Sequence, residues 1–175
     1  MRSVSTIAVF IAATTAFAAE MPRQLLERIS SGTVSESTLL RVIVHPVIRT
    51  SGQIFSGTVL KIEHRNSDSS SSLATTRILF RVDAAIRNVR RGQMLEVNEW
   101  AGLWQSGERY RAGERVLLFL YPPSKLGLTS PVGNRAGRFP VDRVGRVLIK
   151  DPANGRFQPV GIRRAIAAIR QAERE

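Results

Sequence analysis

"YRAGERVLLFLYPPS", Tyr110 to Ser124, is the stretch that decides the fold. It holds no Cys, His or Asp and a single Glu, Glu114. Val116 to Tyr121 is apolar at every position, so a strand here presents greasy side chains on both of its faces. Strands read this way when one face lines a core and the other lies under a further element. Gly113 and Glu114 open the run after a turn, and Pro122-Pro123 ends it. It is too short to cross a bilayer on its own. The run is scaffold, and any chemistry belongs elsewhere.

Other strands follow from alternation. In "TTRILFRVDAAI", Thr75 to Ile86, the residues Ile78, Phe80 and Val82 face in, while Arg77, Leu79, Arg81 and Asp83 face out. A turn, Arg87 to Gly92, leads to "QMLEVNEW", where Leu95 and Val97 alternate with Glu96 and Asn98. Glu96 is expected opposite an arginine of the preceding strand. "QIFSGTVLKIEHR", Gln53 to Arg65, is β-rich, with Phe55 and Val59 on one face and Leu60 and Ile62 on the other. The face switches near Gly57, which predicts a bulge or sharp coil. "GRFPVDRVGRVLIK", Gly137 to Lys150, predicts a strand, a turn at Arg143 to Gly145, and a second strand.

The ends read differently. Met21 to Ser31 has helical spacing, and Thr38 to Ile48 predicts an edge strand up to His45 with a turn or short helical piece after Pro46. "GIRRAIAAIRQAERE", Gly161 to Glu175, predicts an amphipathic helix with Ile162, Ala165, Ile166 and Ile169 as its apolar stripe. That stripe is narrow and lacks aromatics, which favours docking on the sheet over lying on a membrane. The first residues combine Arg2, an uncharged apolar run from Ser3 to Ala19, and Ala16-Phe17-Ala18 before Glu20. This is the pattern of a cleaved secretory signal, with cleavage near Ala18 and a secreted or periplasmic product. The expected organisation is a signal peptide over 1–18, a leader with a short helix and edge segment over 19–50, a barrel over 51–150, and a linker and helix over 151–175.

Composition limits the chemistry. The 175 residues are 43% apolar with a net charge of +12, which suits one folded domain and an acidic partner. There is no cysteine, so disulfides and thiolate metal sites are excluded. His45 and His64 have no metal-ligand spacing. The sequence therefore implies no metal and no cofactor. The charge is nearly all arginine, whose planar fork suits phosphate, sulfate or carboxylate. Glu96 and Glu99 stand three apart on a predicted strand and so fall on opposite faces, which argues against a joint catalytic role.

The predicted strands, about five with short connections, describe a mainly β fold: a small, closed, antiparallel Greek-key barrel of the OB type, with the C-terminal amphipathic helix packed on it. Phe55, Gly57 and Val59, then Phe80, Val82 and Gly92, then Gly113, Val116, Leu117 and Phe119 carry a resemblance to netrin-like domains and tissue inhibitors of metalloproteinases. The resemblance spans Gln53 to Tyr121 and rests on core and turn positions, so it implies a fold and an exported binding role rather than an activity. The animal inhibitors reach a protease zinc through an N-terminal cysteine, and that mechanism is barred here.

Two stretches stand out as contact surfaces. "NEWAGLWQSGERYRAGER" places Trp100, Trp104, Arg109, Tyr110 and Arg111 in one connection between strands. Aromatic rings beside guanidinium groups suit a sugar or base with an anionic group. The same tryptophans suit, and by their usual burial favour, a plug at one end of the barrel. "SKLGLTSPVGNRAGRF", Ser124 to Phe139, reads as a structured turn, with backbone anion binding as its alternative. The resulting expectation is a non-enzymatic module with a protein partner. An anionic polysaccharide or nucleic acid held by the basic, Trp-containing loop is the alternative, and a hydrolase with an unrecognised site is the outsider.

Overall fold

β-branched and aromatic residues in alternation build two long strands, β1 (Gln53–Arg65) and β2 (Thr75–Arg87), which pair antiparallel along their whole length. A computed structural model of the chain describes residues 45–65, 73–105, 107, 109–151 and 155–174. The remaining strands are β3 (Met94–Trp100), β4 (Arg115–Leu120), β5 (Arg138–Val141), β6 (Arg146–Lys150) and β7 (Phe157–Gly161). They form one antiparallel sheet in the order β3-β2-β1-β4-β5-β6-β7. A helix, Ile162–Ala172, follows β7 directly. Residues 45–50 are also helical, so His45 is already past any edge strand. The expected signal peptide, the helix over Met21 to Ser31 and the strand before His45 lie outside the described residues.

The order β4-β1-β2-β3 is a Greek key: three hairpin-linked strands, with a fourth returning beside the first. β1 serves both neighbours, pairing β4 from Gln53 to Thr58. Its register against β2 shifts at three places, next to Phe55, Gly57 and Leu60. The bulge at Leu60 resets the alternation, so Ile62 joins Val59 on the inner side while Leu60 is left exposed. This corrects the pairing of Leu60 with Ile62.

The sheet does not close through a continuous ladder, which corrects the expectation of a closed barrel. The segment after β4 fills the gap instead. Leu128 bridges Asn98 of β3 in parallel, and Pro131 bridges Leu120 of β4. Thr129 N–H donates to the Asn98 carbonyl at 2.9 Å and Tyr121 N–H to the Ser130 carbonyl at 3.0 Å. The result is a partly open Greek-key barrel.

β4 explains the double apolar face of its sequence. Val116, Leu118 and Leu120 join Phe55, Val59, Ile78, Phe80, Val82, Leu95 and Val97 inside the barrel. Leu117 and Phe119 point the other way, into a second core with Phe139, Val141, Val147, Ile149, Val160 and the helix residues Ala165 and Ile169. Each fully buried side chain of this kind contributes about 1.5–3 kcal/mol. Ile162, Ala168 and Ala172 flank the docked stripe, with Ile166 half-buried. β7 extends the sheet into what the sequence reads as a linker. Only Val160 of its five residues is fully buried, which leaves almost no period-2 signal. Among the described residues, no helix is long and apolar enough to cross a membrane.

Candidate functional site: a basic cleft beside a buried glutamate

Strands β5, β6 and β7 have two faces. Phe139, Val141, Val147, Ile149 and Val160 turn toward the helix. Arg138, Pro140, Leu148, Lys150 and Phe157 point the other way and floor a cleft of about 510 Å³. Gly107, Arg109, Asn134, Arg135 and Ala136 complete its lining. Four cations line it, and among the described residues no carboxylate does. Arg135 and Lys150 have no ion pair among the described residues, whereas Arg109 and Arg138 are held in place by others.

Glu99 holds Arg109, and Glu114 holds Arg138. The Glu99 side chain is 0% exposed, on the inward face of β3, while Glu96 faces out and pairs with Arg77 at 2.9 Å. Trp104 Nε1–H donates to Glu99 Oε2 at 3.0 Å, and the Tyr110 hydroxyl donates to Oε1 at 3.3 Å. Arg109 Nε lies 3.1 Å from Oε2 as an ion pair. Arg109 also donates through Nη1 to Asn134 Oδ1, so one guanidinium links the buried carboxylate to the cleft wall. Arg138 stacks over the Tyr110 ring, 4.6 Å from its centroid, and donates to Glu114 at 2.5 Å. Burial raises the Glu99 carboxyl above its ordinary range; Arg109 and the Trp104 and Tyr110 donors oppose that without cancelling it. Burial, then the Glu99 charge, pushes the Tyr110 phenol well up as well.

The five residues singled out in the sequence are not brought to one surface. Tyr110 is 1% exposed and belongs to the barrel core, edge-on to Phe80. It offers no ring to a ligand, which corrects that expectation. Trp104 is half-buried, packs against the same core and meets His64 edge-on, so it plugs the barrel. Trp100 is 49% exposed and lies over Gly102. Arg111 is exposed, with its backbone N–H donating to Glu114. Only Arg109 of the five lines the cleft.

Sequence reasoning missed Arg135, Arg138, Lys150, Phe157 and Glu99. Arg135 and Arg138 lie in the Gly-rich stretch Ser124 to Phe139, and their direction depends on the packing of that stretch. Lys150 and Phe157 flank residues 152–154, and only the β6–β7 ladder sets them opposite each other. Glu99 carried one signal, its inward parity with Leu95 and Val97.

No protein-family model matches the chain, and no curated protein and no solved structure was found to be similar to it.

Proposed function

We propose that this chain is an exported, non-enzymatic binding module that holds an anionic ligand in the basic cleft. The observation that carries this is the cleft lining: Arg109, Arg135, Arg138 and Lys150 around an apolar floor, without a facing carboxylate among the described residues. Glu63, Asp83, Glu96, Glu99, Glu114, Asp142 and Glu173 are each already paired with a cation of the chain. The surplus positive charge is therefore left for partners. The resemblance to netrin-like and inhibitor domains is consistent with a binding role on a Greek-key scaffold, and the N-terminal apolar run with export.

Calorimetric titration with a tetraglutamate peptide, a tri-uronate and an oligothymidylate tests this reading. Binding of the anion should weaken steeply between about 50 and 200 mM salt. The double substitution Arg135→Gln, Lys150→Gln should reduce it by about tenfold or more. Arg90→Gln with Arg91→Gln removes the same charge from an exposed turn and should leave binding near wild type. Equal losses in the two double variants would reduce the cleft to a share of the general charge.

A second reading, a protein partner, rests on strand β3. It ends the sheet ladder, with Leu128 and Thr129 attached at Asn98, and its outward residues Met94 and Trp100 are 58% and 49% exposed. An edge strand with bare apolar side chains is a template for another chain.

A further inference from the structure

The outward face of β5–β7 has a definite shape. Lys150 stands opposite Phe157 in the β6–β7 ladder, and Leu148 opposite Pro159. Phe157 is 59% exposed although it borders the cleft. Its ring, with Leu148 and Pro140, makes an apolar strip that shares the cleft lining with four cations.

We propose that the ligand of the cleft is an acidic sugar unit of an oligosaccharide, its ring lying on Phe157 and its carboxylate held between Arg135 and Lys150. This rests on the reading of the cleft as an anion site. A pyranose has a flat C–H face and a polar rim, so it needs a flat apolar floor and donors around it. The strip and the cations supply both. The planar guanidinium of Arg135 suits a carboxylate bidentately. A cleft of about 510 Å³ falls within the range of small-ligand sites.

The other polyanions fit less well. An extended acidic peptide would gain most by adding a strand to the free edge of β7. Pro159 in that strand has no N–H to give, and proline at an edge blunts such pairing. A single nucleic-acid strand stacks successive bases on several rings. Among the described residues, Phe157 is the one exposed ring on the floor of this cleft.

Calorimetric titration of the whole chain with trigalacturonic acid, its neutral methyl ester, tetraglutamate and oligothymidylate separates these cases. The tri-uronate should bind most tightly, and the ester should lose about tenfold or more. Phe157→Ala should weaken the tri-uronate by about tenfold, with Phe157→Tyr restoring it and tetraglutamate binding unchanged. Circular dichroism should show both variants folded. The sugar assignment is overturned if the ester binds as well as the acid, or if Phe157→Ala leaves the tri-uronate unaffected. If tetraglutamate or oligothymidylate binds more tightly, the sugar falls and the anion site stands. If no anion binds, both fall.

Discussion

Arg109 Nε lies 3.1 Å from Glu99 Oε2, and the two side chains are 11% and 0% exposed. This pair ties the inner face of β3 to the cleft wall through Asn134. A buried ion pair adds little net stability compared with an apolar substitute, but removing one partner strands the other. Glu99→Ala leaves the Arg109 charge, the Trp104 Nε1–H and the Tyr110 hydroxyl without their acceptor. It should cost about 3–5 kcal/mol in urea unfolding. A loss below about 1 kcal/mol would mean that solvent reaches the pair.

The same carboxyl gives a pH dependence of known sign. Its folded pKa lies above its unfolded one, because burial outweighs Arg109 and the two donors. In the window between the two values the native state binds more protons, so stability falls as pH rises. The contribution is complete below the unfolded value, near 4.5, and is gone above the folded one. Asp142 and Glu63, both lowered by hydrogen bonds and nearby cations, act in the opposite sense on the acid side. The informative quantity is therefore the difference between wild type and Glu99→Gln across pH. Wild type should lose stability relative to the variant as pH rises above about 4.5, and a constant difference would remove Glu99 as the cause.

The two tryptophans should separate. Trp104→Ala takes a half-buried ring from the barrel end and removes one of the donors to Glu99. It should cost about 3 kcal/mol or more by thermal or urea unfolding. Trp100→Ala removes a ring that is 49% exposed, and its effect should stay within about 1 kcal/mol. Comparable losses at the two positions would contradict the division into plug and surface ring.

The strand core was legible because alternation is local. Ile78, Phe80 and Val82 on β2 and Leu95 and Val97 on β3 sit inward as their spacing implies. The doubly apolar run of β4 implied a second covered face, and Leu117 and Phe119 occupy it. Of the helix stripe, Ala165 and Ile169 are buried in the second core and Ile162 packs against it. Three features were hidden. The bulge at Leu60 is set by pairing with β2, and nothing in "TVLKIEHR" marks it. β7 contains Pro159 and one fully buried residue, so it has no strand pattern of its own. The cleft joins residues from Gly107 to Phe157 that only the β4–β7 ladders bring together. The Trp-rich connection is conspicuous because rare residue types stand out in a sequence. Glu99 is legible as facing away from Glu96, but not as the buried partner of Trp104, Arg109 and Tyr110, because burial is not a property of one position.

Leu117 and Leu118 are chain neighbours that serve different cores. Leu117→Ala and Leu118→Ala should each cost about 2–5 kcal/mol in urea unfolding. Leu126→Ala, at a position 76% exposed, should change stability by no more than about 0.5 kcal/mol. A neutral Leu117→Ala would mean that the helix and β5–β7 do not cover that face of β4.

Gly137 and Gly102 predict opposite outcomes for the same substitution. A Cβ on Gly137 would come within 2.6 Å of the Val132 nitrogen and 2.7 Å of the Phe119 oxygen, both backbone atoms. Phe119 N–H donates to the Gly137 carbonyl and Val132 N–H to the Phe119 carbonyl, each at 2.8 Å, so this backbone is fixed between β4 and the cleft wall. Gly137→Ala should therefore cost about 2–3 kcal/mol and weaken anion binding together with stability. The three atoms nearest a Cβ on Gly102 all belong to the Trp100 ring, the far end of a side chain that is 49% exposed. Gly102→Ala should leave the unfolding midpoint nearly unchanged and shift the tryptophan fluorescence. If Gly137→Ala unfolds at the wild-type midpoint, the turn from Val132 to Gly137 does not lie against β4, and the cleft loses the wall that carries Arg135.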